Sequence, residues 1–456
     1  MKYSKTIVAF LSLVFFITAC DDLLEVGAPR TQLIAKTVFE NDATATAALI
    51  DVYYQLSTSG FASGGPTSVS FLAGLASDEL LDYSPANISA TTSEFNNNTL
   101  SAANPYVANL WAQPYTAIYK VNSILDGIEK SGNLSVEIRS QLEGEARFFR
   151  AFCYFYLTAM FADVPLLLSP DYKENTKAEK VSAGLIYNQM IADLQEAERL
   201  LPPDYSVSKG LRTRVNSFCA TALLARVHLY AGNWQKAEES ATRIISSTDY
   251  QLESDLTRVF HKNSREAILQ FEHVSGYPPD LFTFYLLGLP QNGVLRENLV
   301  STFSAGDERR IKWIGSMSSG PLTFYYPRKY QALTSLQEFS TVLRLSEQYL
   351  IRSEARMHLG QVTGAYADLN VVRSRAKLAP ATGDQQSLAV HLLEERRREL
   401  FSEWGHRWFD LVRTGSAETL LSTVKPQWKT HAVLFPIPEQ QILNSPAMQH
   451  AQNPGY

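Results

Sequence analysis

The chain has 456 residues, of which 45% are hydrophobic and 19% charged, and its formal net charge is −5. That length supports a large core, and the slight acidic balance leaves no electrostatic footprint for a nucleic acid. Aromatic residues are abundant (23 Phe, 22 Tyr, 6 Trp), enough for a core and for recognition surfaces with apolar faces and polar rims.

The first stretch carries Lys2 and Lys5, an almost unbroken apolar run from Ile7 to Ile17, and then Thr18-Ala19-Cys20. Positive charges ahead of a short apolar run have the layout of an export signal, and the run falls short of the roughly 20 residues a membrane span needs. Ile17-Thr18-Ala19-Cys20 resembles a bacterial lipobox. On that reading residues 1–19 are a cleaved lipoprotein signal peptide, Cys20 is the lipidated residue, and Asp21–Pro29 is a tether. The alternative is an ordinary cleaved signal in which Cys20 is incidental.

Further along, Phe39, Ala43, Ala47, Ile50 and Tyr54 recur at helical spacing and predict a helix over Thr37–Leu56. Ser57–Pro66 is Gly/Ser-rich and reads as loop. Asp82–Pro105 is rich in Ser, Thr, Asn and Ala with little periodicity, which predicts a long loop of the kind that carries function. Helices follow over Val107–Lys130 and Val136–Met160, the second apolar almost all round and therefore buried. Another spans Ala183–Leu201 and stops at Pro202-Pro203. Cys153 and Cys219 lie in apolar helical surroundings and read as buried free thiols.

Asn216–Ser247 reads as helix, turn at Ala231-Gly232-Asn233, and second helix, in the manner of a tetratricopeptide unit. A diverged copy spans Leu350–Ala376, and both share Ala-Arg-x-His-Leu, at 225–229 and 355–359. With the helix pairs at 107–160 and 145–201, four hairpins are predicted. Residues 250–345 form an irregular aromatic-rich insert with strands over 267–273 and 321–330. The Pro-punctuated tail after Lys425 is predicted to run extended to Tyr456.

No catalytic or cofactor motif is present: no His-x-x-x-His, Cys-x-x-Cys, Gly-x-Ser-x-Gly, phosphate loop or dinucleotide fingerprint. Glu403, His406 and Asp410, at i, i+3 and i+7, are the tightest candidate for a metal on one helix face. Gly405 interrupts them and Arg407 and Arg413 crowd them, so the reading is a structural ion-pair cluster and no metal site. Glu394 and Arg398 give an i,i+4 pair worth roughly a few tenths of a kcal/mol.

The run Glu394-Glu-Arg-Arg-Arg-Glu-Leu-Phe-Ser-Glu-Trp-Gly-His-Arg-Trp-Phe-Asp-Leu-Val-Arg-Thr-Gly415 resembles the C-terminal signature of the SusD/RagB family of Bacteroidetes outer-membrane lipoproteins. Arg147-Phe-Phe-Arg-Ala151, Asp163-Val-Pro165, the hairpin at 220–245, Gly306-Asp-Glu-Arg-Arg310, Leu434-Phe-Pro-Ile-Pro-Glu439 and Gln452-Asn-Pro-Gly-Tyr456 fit as well, so the resemblance covers the whole chain. It implies a mainly α fold, a tetratricopeptide-like hairpin scaffold with an irregular, loop-rich ligand-binding portion and a few short strands. It implies a single domain over 20–456, subdivided at 20–106, 107–249, 250–345 and 346–456. It also implies a non-catalytic, cofactor-free protein, lipid-anchored at the outer membrane and facing the cell exterior. Such a protein captures an oligosaccharide, or in some branches a peptide, as a hinged lid over a SusC-like TonB-dependent transporter. A repeat scaffold that binds only protein is the reading from a different class.

The family's ligand residues follow no fixed motif, so candidates come from the chemistry of the loops at 57–105 and 274–326. A saccharide site needs aromatic planes for the apolar sugar faces and polar neighbours for the hydroxyls. Tyr83, Tyr277 and Trp313 meet the first need and Asn87 the second. For each, the alternative is a loop anchor packed on the core. Trp111, Trp404 and Trp408 lie in helical signature regions and are expected in the core.

Overall fold

Apolar residues at spacings of three and four carry most of the chain into helices, as seen in a computed structural model that describes residues 37–58, 60–83, 90–285, 288–290 and 292–456. Cys20 and Asn87 lie outside the described residues. Helix α1 (Asp42–Thr58) buries Leu49, Val52, Tyr53 and Leu56. Helix α2 (Val69–Ala76) is buried throughout and begins where the Ser68 hydroxyl accepts from the Phe71 N–H, and β1 (Leu80–Asp82) follows. The stretch expected as loop from Asp82 to Pro105 holds a helix, α3 (Ala90–Asn97). Its Ser, Thr and Asn are weak helix formers, so packing decides: Phe95 is fully buried. The turn ends at Asn98, with φ of 57° and its amide on the Ala76 carbonyl.

Pro105 opens α4 (Pro105–Lys130) at the position where a missing N–H costs nothing, and Asn104 Oδ1 accepts from the Tyr106 N–H at 2.9 Å. Helix α5 (Val136–Phe161) is buried without a break from Phe148 to Thr158, the one charge in that run, Arg150, being paired with Asp193 at 2.6 Å. Strands β2 (Val164–Pro165) and β3 (Lys180–Val181) pair with each other and enclose the short α6 (Tyr172–Asn175). Helices α7 (Ala183–Leu200), α8 (Ser217–Tyr230) and α9 (Trp234–Ile245) continue the stack, α7 packed on α5, α8 on α7 and α9 on α8.

The insert follows, with β4 (Ala267–Phe271), α10 (Pro279–Phe284), β5 (Gly293–Leu295), α11 (Glu297–Val300), α12 (Glu308–Lys312), β6 (Ile314–Ser319), β7 (Leu322–Pro327) and β8 (Ser340–Arg344). Strands β4 and β8 pair antiparallel and pin the two ends of the insert together. A four-stranded sheet runs β1-β5-β7-β6, so a strand from residues 80–82 is recruited to the edge of a sheet made by residues 293–327. Among the described residues only Leu295 and Tyr325 are in register between β5 and β7, so the sheet splits beyond that pair.

Helices α13 (Leu345–His358) and α14 (Val362–Arg375) form the second hairpin, and α13 packs directly on α9. The small residues do what the repeat pattern calls for: Ala225, Ala237, Ala241 and Ala355 share one buried cluster, where the absence of longer side chains lets the helices approach. The Trp234 ring lies flat on His358, with centroids 3.9 Å apart and planes 11° apart, joining the turn of one copy to the last turn of the other. Cys153 and Cys219 are buried and free, and burial pushes the Cys219 thiol up to about 12.

The C-terminal signature forms α15 (Gln385–Leu400) and α16 (His406–Arg413), with a corner between them where Ser402, Trp404 and Gly405 all have positive φ. Glu403 therefore sits outside α16 and does not share a helix face with His406 and Asp410. Each carboxylate is paired: Glu403 with Arg344 (2.8 Å) and Lys329, Asp410 with Arg396 (2.7 Å) and Arg413 (2.7 Å). His406 is buried, and burial with nearby arginines holds its imidazole well below the usual range. Glu394 and Arg398 meet only at 3.9 Å.

The rest of the signature joins a wholly buried charge frame. Glu399 accepts from Arg344 (2.6 Å), Arg309 (3.1 Å) and Arg375; Glu395 accepts from Arg309 (2.7 Å); Arg309 also holds Asp307 (2.9 Å). Arg397 and Arg407 both reach Asp78, next to β1. After α17 (Ala417–Val424) the tail is not extended throughout. Prolines set its bends, but α18 (Glu439–Asn444) and two 3-10 turns interrupt it. Its ends are tied down by Phe435 N–H to the Met160 carbonyl and by the Asn453 amide to the carbonyls of Phe161 and Phe435. Trp111, Trp404 and Trp408 are core residues, as their positions suggested.

Candidate ligand-binding cleft

A cleft of about 460 Å³ opens where β5 parts from β7. A strand with one paired residue leaves its neighbour's side chains unroofed, and here those side chains are aromatic. Tyr83, half-buried at the end of β1, rests its ring on Phe324 of β7 at 4.7 Å between centroids. Tyr325, on the opposite face of the same strand, is half-buried beneath the Arg310 guanidinium, 5.2 Å from the ring centroid. Val294 and Leu295 supply apolar wall, and Asn298, Thr323 and the exposed Glu297 supply polar rim.

Arg296 fixes the floor of the cleft. Its Nε donates to the Leu80 carbonyl at 2.8 Å and its Nη2 to Asn96 Oδ1 at 2.9 Å, which ties β1 and α3 to the start of α11. Among the described residues no carboxylate pairs with it, and burial holds its guanidinium below the usual range against the distant pull of Asp78. The Asn96 carbonyl also accepts from Lys425 Nζ at 2.7 Å, as does Leu75 at 2.5 Å. Burial, aided by Arg296, pushes that ammonium well below its ordinary value. Asp82 accepts from Thr92 at 2.8 Å, and burial raises its carboxyl above the usual range. Aromatic planes, one anchored guanidinium and an amide rim suit a ligand with apolar ring faces and hydroxyl edges.

The other sequence candidates fare differently. Tyr277 is half-buried, stands edge-on to the exposed Phe282 at 6.0 Å, and does not line this cleft. Trp313 must be corrected: it is fully buried at the start of β6, with its indole N–H donating to the Leu256 carbonyl at 2.9 Å. Lys329 Nζ, 4.8 Å from the ring centroid, covers it further, so no face remains for a ligand. Arg296, Phe324 and Tyr325 were missed. The aromatic content of 321–330 was visible, but the alternation that puts Phe324 and Tyr325 on opposite faces matters only once β5 is known to end at Leu295.

Among the described residues no group of three or more His, Cys, Asp and Glu is placed to hold a metal ion, and no helix is long and apolar enough to cross a membrane.

Comparison with known proteins points in one direction. A family model described as "Starch-binding associating with outer membrane" matches residues 66–229, and one described as "SusD family" matches residues 300–456. Two SusD-like proteins of Formosa agariphila align over essentially full length. One is 22% identical, covering 99% of each chain, and the other 26% identical, covering 100% of each. A SusD superfamily protein from Bacteroides vulgatus shares the fold with a TM-score of 0.80 at 23% identity, over 90% of this chain and 98% of its own. A laminarin-binding SusD-like protein gives a TM-score of 0.77 at 25% identity, over 92% of this chain and 100% of its own. Surface glycan-binding protein A from Bacteroides thetaiotaomicron, solved with laminarihexaose, gives 0.75 at 19%, over 91% of this chain and 99% of its own. With two SusD models covering the helical repeats and the signature, and relatives spanning the whole length, the chain belongs to the SusD/RagB family.

Proposed function

We propose that this protein captures oligosaccharides at the Tyr83 cleft and delivers them to a SusC-like TonB-dependent outer-membrane transporter, as a non-catalytic surface protein held by lipid on Cys20. The observation that carries the reading is the pairing of half-buried aromatic planes at Tyr83 and Tyr325 with the anchored Arg296 at a split in the sheet. Such a site holds a sugar by its apolar faces and reads its hydroxyls from the rim. The laminarin-binding and laminarihexaose-bound relatives support the ligand class.

The test is calorimetric titration of the full chain with neutral oligosaccharides, laminarihexaose among them, repeated with Tyr83→Ala. Loss of a principal stacking plane should weaken binding by about tenfold or more. Unchanged affinity would remove Tyr83 from the site. A blank glycan panel together with co-purifying oligopeptides would make the ligand a peptide. Ligand uptake indifferent to Tyr83→Ala would favour a scaffold that binds only protein. For the anchor, Cys20→Ser should leave folding and binding intact and release the protein from the outer-membrane fraction. Retention there without any transporter would refute lipid attachment.

A further inference from the structure

A second groove, of about 390 Å³, shares no residue with the Tyr83 cleft. One wall is a stripe on α4: Trp111, Tyr115 and Tyr119 stand at i, i+4 and i+8, so each ring is set about 6 Å further along the helix axis. Trp111 lies at the base with 3% of its surface exposed, Tyr115 is half-buried, and Tyr119 is 52% exposed. The rings descend from surface to floor.

The stripe is held before any ligand arrives. The Tyr115 hydroxyl donates to the Pro165 carbonyl at 2.8 Å, and its ring meets Trp111 at 5.3 Å and, edge-on, Tyr154 at 6.5 Å. Tyr154 is fixed in turn, with its hydroxyl accepting from the Leu167 N–H at 2.6 Å and donating to the Leu167 carbonyl at 3.0 Å. A floor that needs no ordering on binding spares the ligand that entropic cost.

The facing wall is polar and uncharged. Asn175 spends its amide N–H on the Ser169 carbonyl at 2.9 Å, leaving Oδ1 as an acceptor. The side chains of Gln441 and Ser445, on and just after α18, also line the groove. Neither makes a hydrogen bond to another described residue. Among the described residues no Asp, Glu, Lys or Arg lines the groove, in contrast to the Tyr83 cleft with Arg296 and Glu297. A lipid headgroup, nucleotide or acidic peptide would find no counter-charge here. A stripe of aromatic rings facing free amide and hydroxyl groups matches a neutral pyranose, apolar on its faces and hydroxylated at its edges.

We infer that the groove between α4 and the C-terminal segment is a second saccharide subsite, selective for uncharged sugars and independent of the Tyr83 cleft. Two subsites on one chain give a polymer an avidity that a short oligomer lacks, provided the polymer spans both.

The test uses the full chain labelled with 5-fluorotryptophan, the Trp111 resonance being assigned through Trp111→Phe. The probes are laminarihexaose, maltohexaose, xylohexaose and mannohexaose, with a hexuronate as the charged comparison. At least one neutral hexasaccharide should shift the Trp111 resonance saturably. Tyr119→Ala, a change at an exposed ring, should weaken that response at least tenfold, and Tyr83→Ala should leave it in place. A Trp111 resonance unmoved by all four neutral probes, a shift that survives Tyr119→Ala, a shift abolished by Tyr83→Ala, or a stronger response to the hexuronate would each overturn the inference. Binding at the Tyr83 cleft is read separately, by the calorimetric effect of Tyr83→Ala, so either site can fail alone.

Discussion

Glu399→Gln tests the buried charge frame with the least change of shape. The carboxylate is fully buried and serves three guanidinium groups, with Arg344 at 2.6 Å, Arg309 at 3.1 Å and Arg375 as the third. The amide keeps one carbonyl oxygen, which can still face Arg344 and Arg375, while its NH₂ turns toward Arg309. One or two charge-assisted bonds are lost, at about 1.5–3 kcal/mol each. Because a buried positive charge is left uncompensated, the expected loss of stability at neutral pH is about 3–5 kcal/mol. Urea denaturation should show a lower midpoint at unchanged slope. Glu238→Gln is the control: its pair with Arg356, at 2.9 Å with both side chains 21% exposed, should cost under about 1 kcal/mol. The three arginines also hold the Glu399 carboxyl well below its ordinary 4.5. Its contribution is therefore complete above that value and lost as pH falls through the lowered pKa, so the gap between wild type and variant should narrow progressively in acid. A loss below about 1 kcal/mol at pH 7, equal to the control, would refute the view that the signature is an electrostatic frame.

Glu79 works in the opposite sense. Burial raises its carboxyl from 4.5 to about 7, and among the described residues its Oε1 has no hydrogen-bond partner, so the folded state keeps a proton that the unfolded chain releases. Stability falls as pH rises from 4.5 to about 7, and Glu79→Gln should be more stable than wild type at pH 8 by about 2–3 kcal/mol yet near-equal at pH 4.5 in thermal melts. A variant destabilised equally at both pH values would contradict this. Gly405→Ala should destabilise by at least about 1–2 kcal/mol, since φ is 72° and a Cβ there would lie 2.8 Å from Ala73 Cβ. A neutral result in a urea titration would show that the corner between α15 and α16 relaxes freely.

The helical stack was legible because its periodicity is local: the spacing within 107–160, the alanines of the two repeats and the Pro105 and Pro202 boundaries each report on neighbours a few residues away. The site was legible only in part. Tyr83 follows from residue type in a polar loop, but Arg296 and Tyr325 become cleft residues because β1, 213 residues before β5, joins their sheet, and no local pattern encodes that pairing. Trp313 misled for the same reason: an aromatic in an irregular insert looks available until Leu256 and Lys329 close over it. The signature showed its charges but not their partners. Glu399 and Glu403 name a need for cations that Arg309, Lys329, Arg344 and Arg375 meet from outside the run.

The span of these contacts also sets an order of assembly. Helices α4, α5, α7, α8 and α9 each pack on the next along the chain and can gather as soon as each is made. The cleft cannot. Its edge strand β1 is held beside Asp78, whose cations Arg397 and Arg407 come more than three hundred residues later, and Lys425 must arrive before the Leu75 and Asn96 carbonyls are satisfied. The shape of the cleft therefore depends on contacts that span most of the chain, from cations of its distal third to residues 75–96 near its start.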